Sequence, residues 1–132
     1  MRIFIDTSAF YALLDRDDAN NRKATKVWTN LLGTEDTLVT SNYILLEAFA
    51  LMQSRLGLEA VRGFQEDILP LIAIEFVSPE VHRSGTAALL SASGRSLSLV
   101  DCISFELMRS SGIKSVFTFD HHFKEQGFVV LT

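Results

Sequence analysis

The chain has only one cysteine, Cys102, among 132 residues, which excludes an internal disulfide and a cysteine-based zinc site. A reducing, cytoplasmic setting is the simplest expectation. No apolar run approaches the ~18 residues that span a bilayer, so no membrane role is expected. Arg2 followed by Ile3 to Leu14 has some look of a signal peptide, but Asp6 interrupts it and no clean small-residue cleavage site follows. Positive charge is also short: the net charge is −4 and the pI about 5.3, against a passive nucleic-acid binder. Charged residues are 21% of the chain, too few and too interspersed for disorder, while the 48% apolar share supports a real core. There is no Gly-x-Gly-x-x-Gly, no Walker-type loop, no repeat and no linker. One domain over residues 1–132 is expected.

What is present is an alternation of strand-like and helix-like segments. Ile3-Phe4-Ile5 reads as a buried strand running into Asp6, and a short helix carrying Phe10, Tyr11, Leu13 and Leu14 follows from Ser8. Asp18 or Asn20 can cap a second helix bearing Ala24, Val27, Trp28, Leu31 and Leu32, closed by Gly33; Trp28 is expected to anchor it to the core. Thr37 to Thr40 is a second strand, and Ser41 or Asn42 can cap a helix from Tyr43 to about Leu56. A helix over Leu58 to Leu69 is ended by Pro70, Leu71 to Val77 is β-like, and Glu80 to about Leu90 is helical. After a loop from Ser91 to Ser96, Ser98 to Ser111 forms a helix ended by Gly112, Ser115 to Phe119 a strand, and Phe128 to Leu131 a last strand. This order predicts a three-layer α/β fold with a mostly parallel, five-stranded central sheet.

Four acids sit in apolar surroundings. Asp6 follows Ile3-Phe4-Ile5; Glu47 lies within Tyr43 to Leu51, a helix apolar all round, as in a buried helix; Asp101 lies within Leu97 to Ile103; Asp120 follows Val116 to Phe119. Withdrawing one ion from water costs several kcal/mol. Four such costs rival a domain's whole stability of about 5–15 kcal/mol. Basic residues are scarce nearby: Arg2 is nearest in sequence to Asp6, and Lys124 to Asp120. A hard divalent cation is the economical compensation, and Mg²⁺ suits a few carboxylates plus water. In a parallel sheet Asp6 and Asp120 emerge at one edge, and the helices carrying Glu47 and Asp101 start there.

Each acid also has an ordinary reading. Asp6 can cap the following helix, Asp101 fits a capping box with Ser98, and Asp120 can be a turn residue. Glu47, inside a helix, gains nothing from capping. Glu75 is expected to face solvent on an edge strand and is left out of the site. Ser8 and Thr118 flank the acids and are candidates to hold a metal-bound water. His121 and His122 are adjacent, so surface or supporting roles are expected for them, and His82 is read as a helix-surface residue. Cys102 is read as a small core residue. Arg95, in the generic Gly94-Arg95 loop, is a possible phosphate contact.

Ile3-Phe4-Ile5-Asp6-Thr7-Ser8-Ala9-Phe10 resembles the opening of PIN-domain nucleases, especially VapC-type toxins. Leu46-Glu47-Ala48, Leu97 to Ile103 around Asp101, and Phe117 to Phe123 with Gly127-Phe128 resemble the second, third and fourth acidic motifs in order. The resemblance spans nearly the whole chain. It implies a Mg²⁺- or Mn²⁺-dependent ribonuclease with Asp6, Glu47, Asp101 and Asp120 holding the metal, Asp6 and Asp101 most directly. It also implies a homodimer and a cognate antitoxin whose tail fills the acidic groove. An acidic pI departs from what an RNA groove prefers, so Arg16, Arg22, Lys23 and Lys26 become candidate substrate contacts.

The expected reaction is metal-assisted hydrolysis of RNA phosphodiesters, with Asp120 or Glu47 taking the water's proton. Two other readings compete. A phosphatase with Asp6 as nucleophile resembles Asp-x-Asp-x-Thr, but position 8 here is Ser. A non-catalytic α/β binding module is the third.

Overall fold

The computed structural model describes residues 1–92 and 96–132. Five parallel strands form one sheet in the order β3-β2-β1-β4-β5. They are β1 (Arg2–Ile5), β2 (Thr37–Ser41), β3 (Ala73–Glu75), β4 (Ser115–Phe117) and β5 (Val129–Val130). Helices α1 (Thr7–Leu14), α2 (Asn21–Leu32), α3 (Asn42–Arg55), α4 (Leu58–Gly63), α5 (Pro79–Ser91), α6 (Leu99–Ser111) and α7 (His122–Glu125) complete the three-layer α/β arrangement. The loop containing Arg95 lies outside the described residues.

The core is built on β1, whose Ile3, Phe4 and Ile5 are sealed from solvent. Both faces of a central parallel strand are covered, so its sequence is a continuous apolar run. Phe10, Phe64, Phe117 and Phe123 fill the space around it, and Trp28 anchors α2 as expected. Where β1 meets β4, Ile5 pairs with Phe117 and the Asp6 N–H donates to the Phe117 carbonyl at 3.1 Å. On the other side the Thr40 hydroxyl donates to the Ile5 carbonyl at 2.8 Å. The C-terminal ends of β1, β2 and β4 therefore lie together.

Several boundaries differ from expectation. The helix after Gly57 is α4 only to Gly63; it widens into a π-helical turn (Phe64–Ile68) and tightens into a 3-10 turn (Leu69–Leu71) carrying Pro70. A ring at position 70 offers no N–H, so a regular α-helical ladder cannot run through it. Strands β3, β4 and β5 are shorter than their apolar runs, because only part of each run finds a paired neighbour. Asn20, not Asp18, stands at the N-terminus of α2, and it makes no side-chain cap; Asp18 instead accepts the Asn20 N–H at 2.8 Å. Helix α7 has no strong periodic signal in sequence.

Helix α3 is not buried all round. It buries Ile44, Ala48 and Met52, whereas Leu46 is 74% exposed. One face packs on the body, and this chain covers only that face. Helices α5 and α6 approach closely through Gly85: a Cβ there would lie 2.5 Å from Ile103 Cδ1 and 3.1 Å from Ile103 Cα.

Candidate active site

Asp6 is 5% exposed at the exit of β1 and is the N-cap of α1. Its Oδ2 accepts from the Ser8 hydroxyl at 2.8 Å, the Thr118 hydroxyl at 2.9 Å and the Ser8 N–H at 3.4 Å. The capping role expected from sequence is real, and the hydroxyls of Ser8 and Thr118 add to it. Those hydroxyls are tied in turn: Ser8 Oγ accepts the Phe119 N–H and Thr118 Oγ1 accepts the Asp120 N–H, both at 2.9 Å. Strand pairing of β1 with β4 makes this network, since it brings residues 110 positions apart to within 3.0 Å at Ser8 and Thr118.

Asp101 closes the capping box of α6, accepting the Ser98 N–H on Oδ2 at 3.1 Å while the Ser98 hydroxyl accepts the Asp101 N–H at 3.1 Å. Asp120 turns the chain into α7, and its Oδ1 accepts the His122 N–H at 2.9 Å. The His122 ring comes back over it, with Nδ1 2.8 Å from Asp120 Oδ1 in a close polar contact that lacks good hydrogen-bond alignment.

The three aspartates feel one another. Burial pushes the Asp6 carboxyl from its ordinary 3.8 up to about 6; the two hydroxyl bonds pull down, and the charges of Asp101 and Asp120 push up. Asp101 is also raised, first by burial, with Asp120 adding and its hydrogen bonds to Ser98 and the charge of His122 opposing. Among the described residues no Lys or Arg pairs with any of them. Arg2 bonds Glu75 at 3.5 Å instead, so Glu75 is accounted for outside the site.

A pattern runs through the three side chains. Asp6 uses Oδ2, Asp101 uses Oδ2 and Asp120 uses Oδ1 for protein donors; among the described residues the second oxygen of each has none. An all-oxygen donor set with one open oxygen per carboxylate matches what a hard divalent cation takes. The donor chemistry of these three residues therefore fits Mg²⁺ or Mn²⁺, while among the described residues the ligand atoms that already gather within 4.8 Å of one another are those of Asp120, His121 and His122.

Glu47 stands apart. It is half-buried in the second turn of α3, and among the described residues no hydrogen bond or ion pair joins it to the aspartates. His121 and His122 take the surface and supporting places read from sequence, His121 exposed and His122 against Asp120, and the two rings with Asp120 place one ligand atom each within 4.8 Å of one another. The start of a short helix tilts the rings together, with centroids 4.3 Å apart. His122 is 17% exposed and supports Asp120, which the Asp-x-His spacing could have signalled. His82 lies on helix α5, half-buried, with its Nδ1 2.7 Å from the Tyr43 hydroxyl. Cys102 is buried and its thiol is pushed up by that burial, consistent with a core role.

The PIN domain family matches residues 3–129. The chain is a PIN domain. It is 31% identical over 128 residues to the 23S rRNA-specific endonuclease VapC20 of Mycobacterium tuberculosis, an alignment covering 96% of this chain and 95% of that protein. The crystal structure of VapC20, a Sarcin-Ricin loop cleaving toxin, superimposes with a TM-score of 0.85 at 30% identity over 96% of each chain. VapBC2 from Rickettsia felis, solved bound to a DNA fragment from its promoter, has a TM-score of 0.72 at 12% identity over 99% of this chain and 98% of that one, a likeness of fold. The likeness to VapC20 places this PIN domain in the VapC-type branch.

Proposed function

We propose that this PIN domain is a divalent-metal-dependent endoribonuclease, the toxin of a toxin–antitoxin pair, hydrolysing RNA phosphodiester bonds at the aspartate cluster. One observation carries the reading: Asp6, Asp101 and Asp120 are electrostatically coupled, have no Lys or Arg partner among the described residues, and each keep one oxygen free of protein donors. The likeness to a 23S rRNA-specific endonuclease supports RNA as substrate.

A bound Mg²⁺ or Mn²⁺ would supply a water of lowered pKa and offset the charge that develops on the scissile phosphate. The chain's own residues do the rest. Ser8 and Thr118 fix the Asp6 carboxylate through Oδ2 and so aim its other oxygen. The capping box sets Asp101 at the first turn of α6, and His122 holds Asp120 through Oδ1. Asp6 and Asp101 would hold the metal most directly, and Asp120 or Glu47 would take the water's proton.

A homodimer and an antitoxin belong to the same proposal. Leu46, Phe76 and Leu90 are each more than 70% exposed, apolar surface of the kind a second chain covers. No helix is long and apolar enough to cross a membrane among the described residues.

Incubation of purified protein with mixed cellular RNA, with Mg²⁺ or with EDTA, tests the proposal. Discrete products that need metal and vanish in Asp6→Asn are expected. RNA left intact under every metal condition, or full cleavage by Asp6→Asn, would refute it.

A further inference from the structure

Helix α2 differs in charge from the other long helices. It carries Arg22, Lys23 and Lys26 and no acid, whereas α3, α5 and α6 each carry at least one. Among the described residues, ion pairs engage Arg2, Arg62, Arg83 and Arg109, but neither Lys23 nor Lys26. These two lysines line a pocket of about 380 Å³ with Val27, Asn30, Phe119 and Thr132. That volume falls in the ~300–1,000 Å³ range of small-ligand sites.

Phe119 connects the pocket to the aspartates. Its N–H donates to Ser8 Oγ at 2.9 Å, Ser8 donates to Asp6 Oδ2 at 2.8 Å, and the next residue is Asp120. Its ring is half-buried, with the edge of Phe117 6.1 Å away, centroid to centroid. An aromatic ring held in this way can receive a nucleobase, and unpaired lysines beside it can receive phosphate. The pocket does not end there: Lys26 and Asn30 also line a second, more open pocket of about 440 Å³ with Arg22, Thr25 and Thr29 along the same helix. RNA must approach a chain of net charge −4 and a cluster of acids, so a local cationic strip is what its backbone needs.

We propose that the pocket formed by Lys23, Lys26 and Phe119 is a nucleotide subsite, holding a single-stranded RNA nucleotide beside the bond that is cut. The base lies against Phe119, and the phosphates lie on Lys23 and Lys26 and then run along α2 toward Arg22. This rests on the ribonuclease reading above. Of the four basic residues that stand out in sequence, it selects Lys23 and Lys26 as the inner contacts and Arg22 as an outer one, and leaves Arg16 aside.

The test is binding of a short fluorescein-labelled single-stranded RNA of mixed sequence, followed by anisotropy with Ca²⁺ in place of Mg²⁺, alongside cleavage kinetics with Mg²⁺. The double variant Lys23→Gln/Lys26→Gln should bind more weakly, and its salt dependence should flatten by about 1.4 in log–log slope, from ~0.7 per single-strand phosphate contact. KM should rise with kcat largely kept, and Lys23→Arg/Lys26→Arg should restore both. Phe119→Leu should weaken binding roughly 5- to 160-fold, the range of one base stack, while Phe119→Trp keeps it. Metal-induced thermal stabilisation should be unchanged in all of these, which separates a lost subsite from a damaged fold. Lys114→Gln, at the opposite end of β4, is the control. Wild-type affinity and slope in the double lysine variant, or a loss no larger than in Lys114→Gln, would overturn the proposal. Binding of labelled poly-glutamate that is lost in the double lysine variant, with RNA binding unaffected by the same substitutions, would overturn it in favour of an acidic polypeptide. If wild-type protein cleaves no RNA, the nuclease reading fails, and the anisotropy series still decides the subsite.

Discussion

Replacing Asp6 by Asn probes the most buried acid of the cluster. Moving a carboxyl from 3.8 to about 6 corresponds to roughly 3 kcal/mol against its ionised form. In the unfolded chain Asp6 loses its proton near its ordinary value; in the fold it keeps the proton until about pH 6. Between those values the folded state binds more protons, so stability falls as pH rises through the window and stays at the lower level above it. Below the unfolded value the penalty is absent. Asn keeps the shape and an acceptor for Ser8 and Thr118 but carries no charge. In EDTA at pH 7.5, Asp6→Asn should therefore be more stable than wild type by up to about 3 kcal/mol, roughly 10 °C in Tm for a chain of this length. At pH 4 the gain should largely vanish. Saturating Mn²⁺ should reverse the order, because a ligand at 1,000 times its Kd adds about 4.1 kcal/mol to the form that binds it. Urea and thermal melts at both pH values, with EDTA and with Mn²⁺, check each part. A variant no more stable than wild type at pH 7.5 without metal, or a gain undiminished at pH 4, would refute the electrostatic account.

Thr118→Val removes the hydroxyl that donates to Asp6 and accepts from the Asp120 N–H; metal affinity, read by Mn²⁺ titration of Tm, should fall about 10- to 100-fold. Glu47→Gln should leave metal-free stability within about 0.5 kcal/mol, since no hydrogen bond or ion pair joins Glu47 to the aspartates among the described residues, yet lower the cleavage rate at limiting Mg²⁺. A stabilisation as large as that of Asp6→Asn would instead put Glu47 inside the repulsive cluster. Gly85→Ala should destabilise by about 1–3 kcal/mol in urea melts, because the new methyl meets Ile103 at 2.5 Å, and Ile103→Val should recover part of the loss.

The alternation of strands and helices, the acids at strand ends and the Ser98–Asp101 capping box were all legible in the linear order of residues. Each is a local matter: apolar period, cap spacing and the run of Ile3-Phe4-Ile5 act within a few positions of chain. Even the likeness to PIN domains rests on such short stretches. Tertiary structure decided what surrounds those stretches. Pairing of β1 with β4 placed the Thr118 hydroxyl on Asp6, 112 residues away, and so set which carboxylate oxygen is engaged and which is free. Packing left Leu46 outside although its helix reads as apolar all round, since only the face bearing Ile44, Ala48 and Met52 meets the body. The turn after Asp120 brought His122 onto a carboxylate and its neighbour ring alongside, and the placement of α2 near the segment after β4 made Lys23, Lys26 and Phe119 line one pocket. Sequence spacing specifies an element and the residues it carries. Which oxygen, ring or ammonium meets which depends on contacts between distant segments, where burial and geometry settle the outcome.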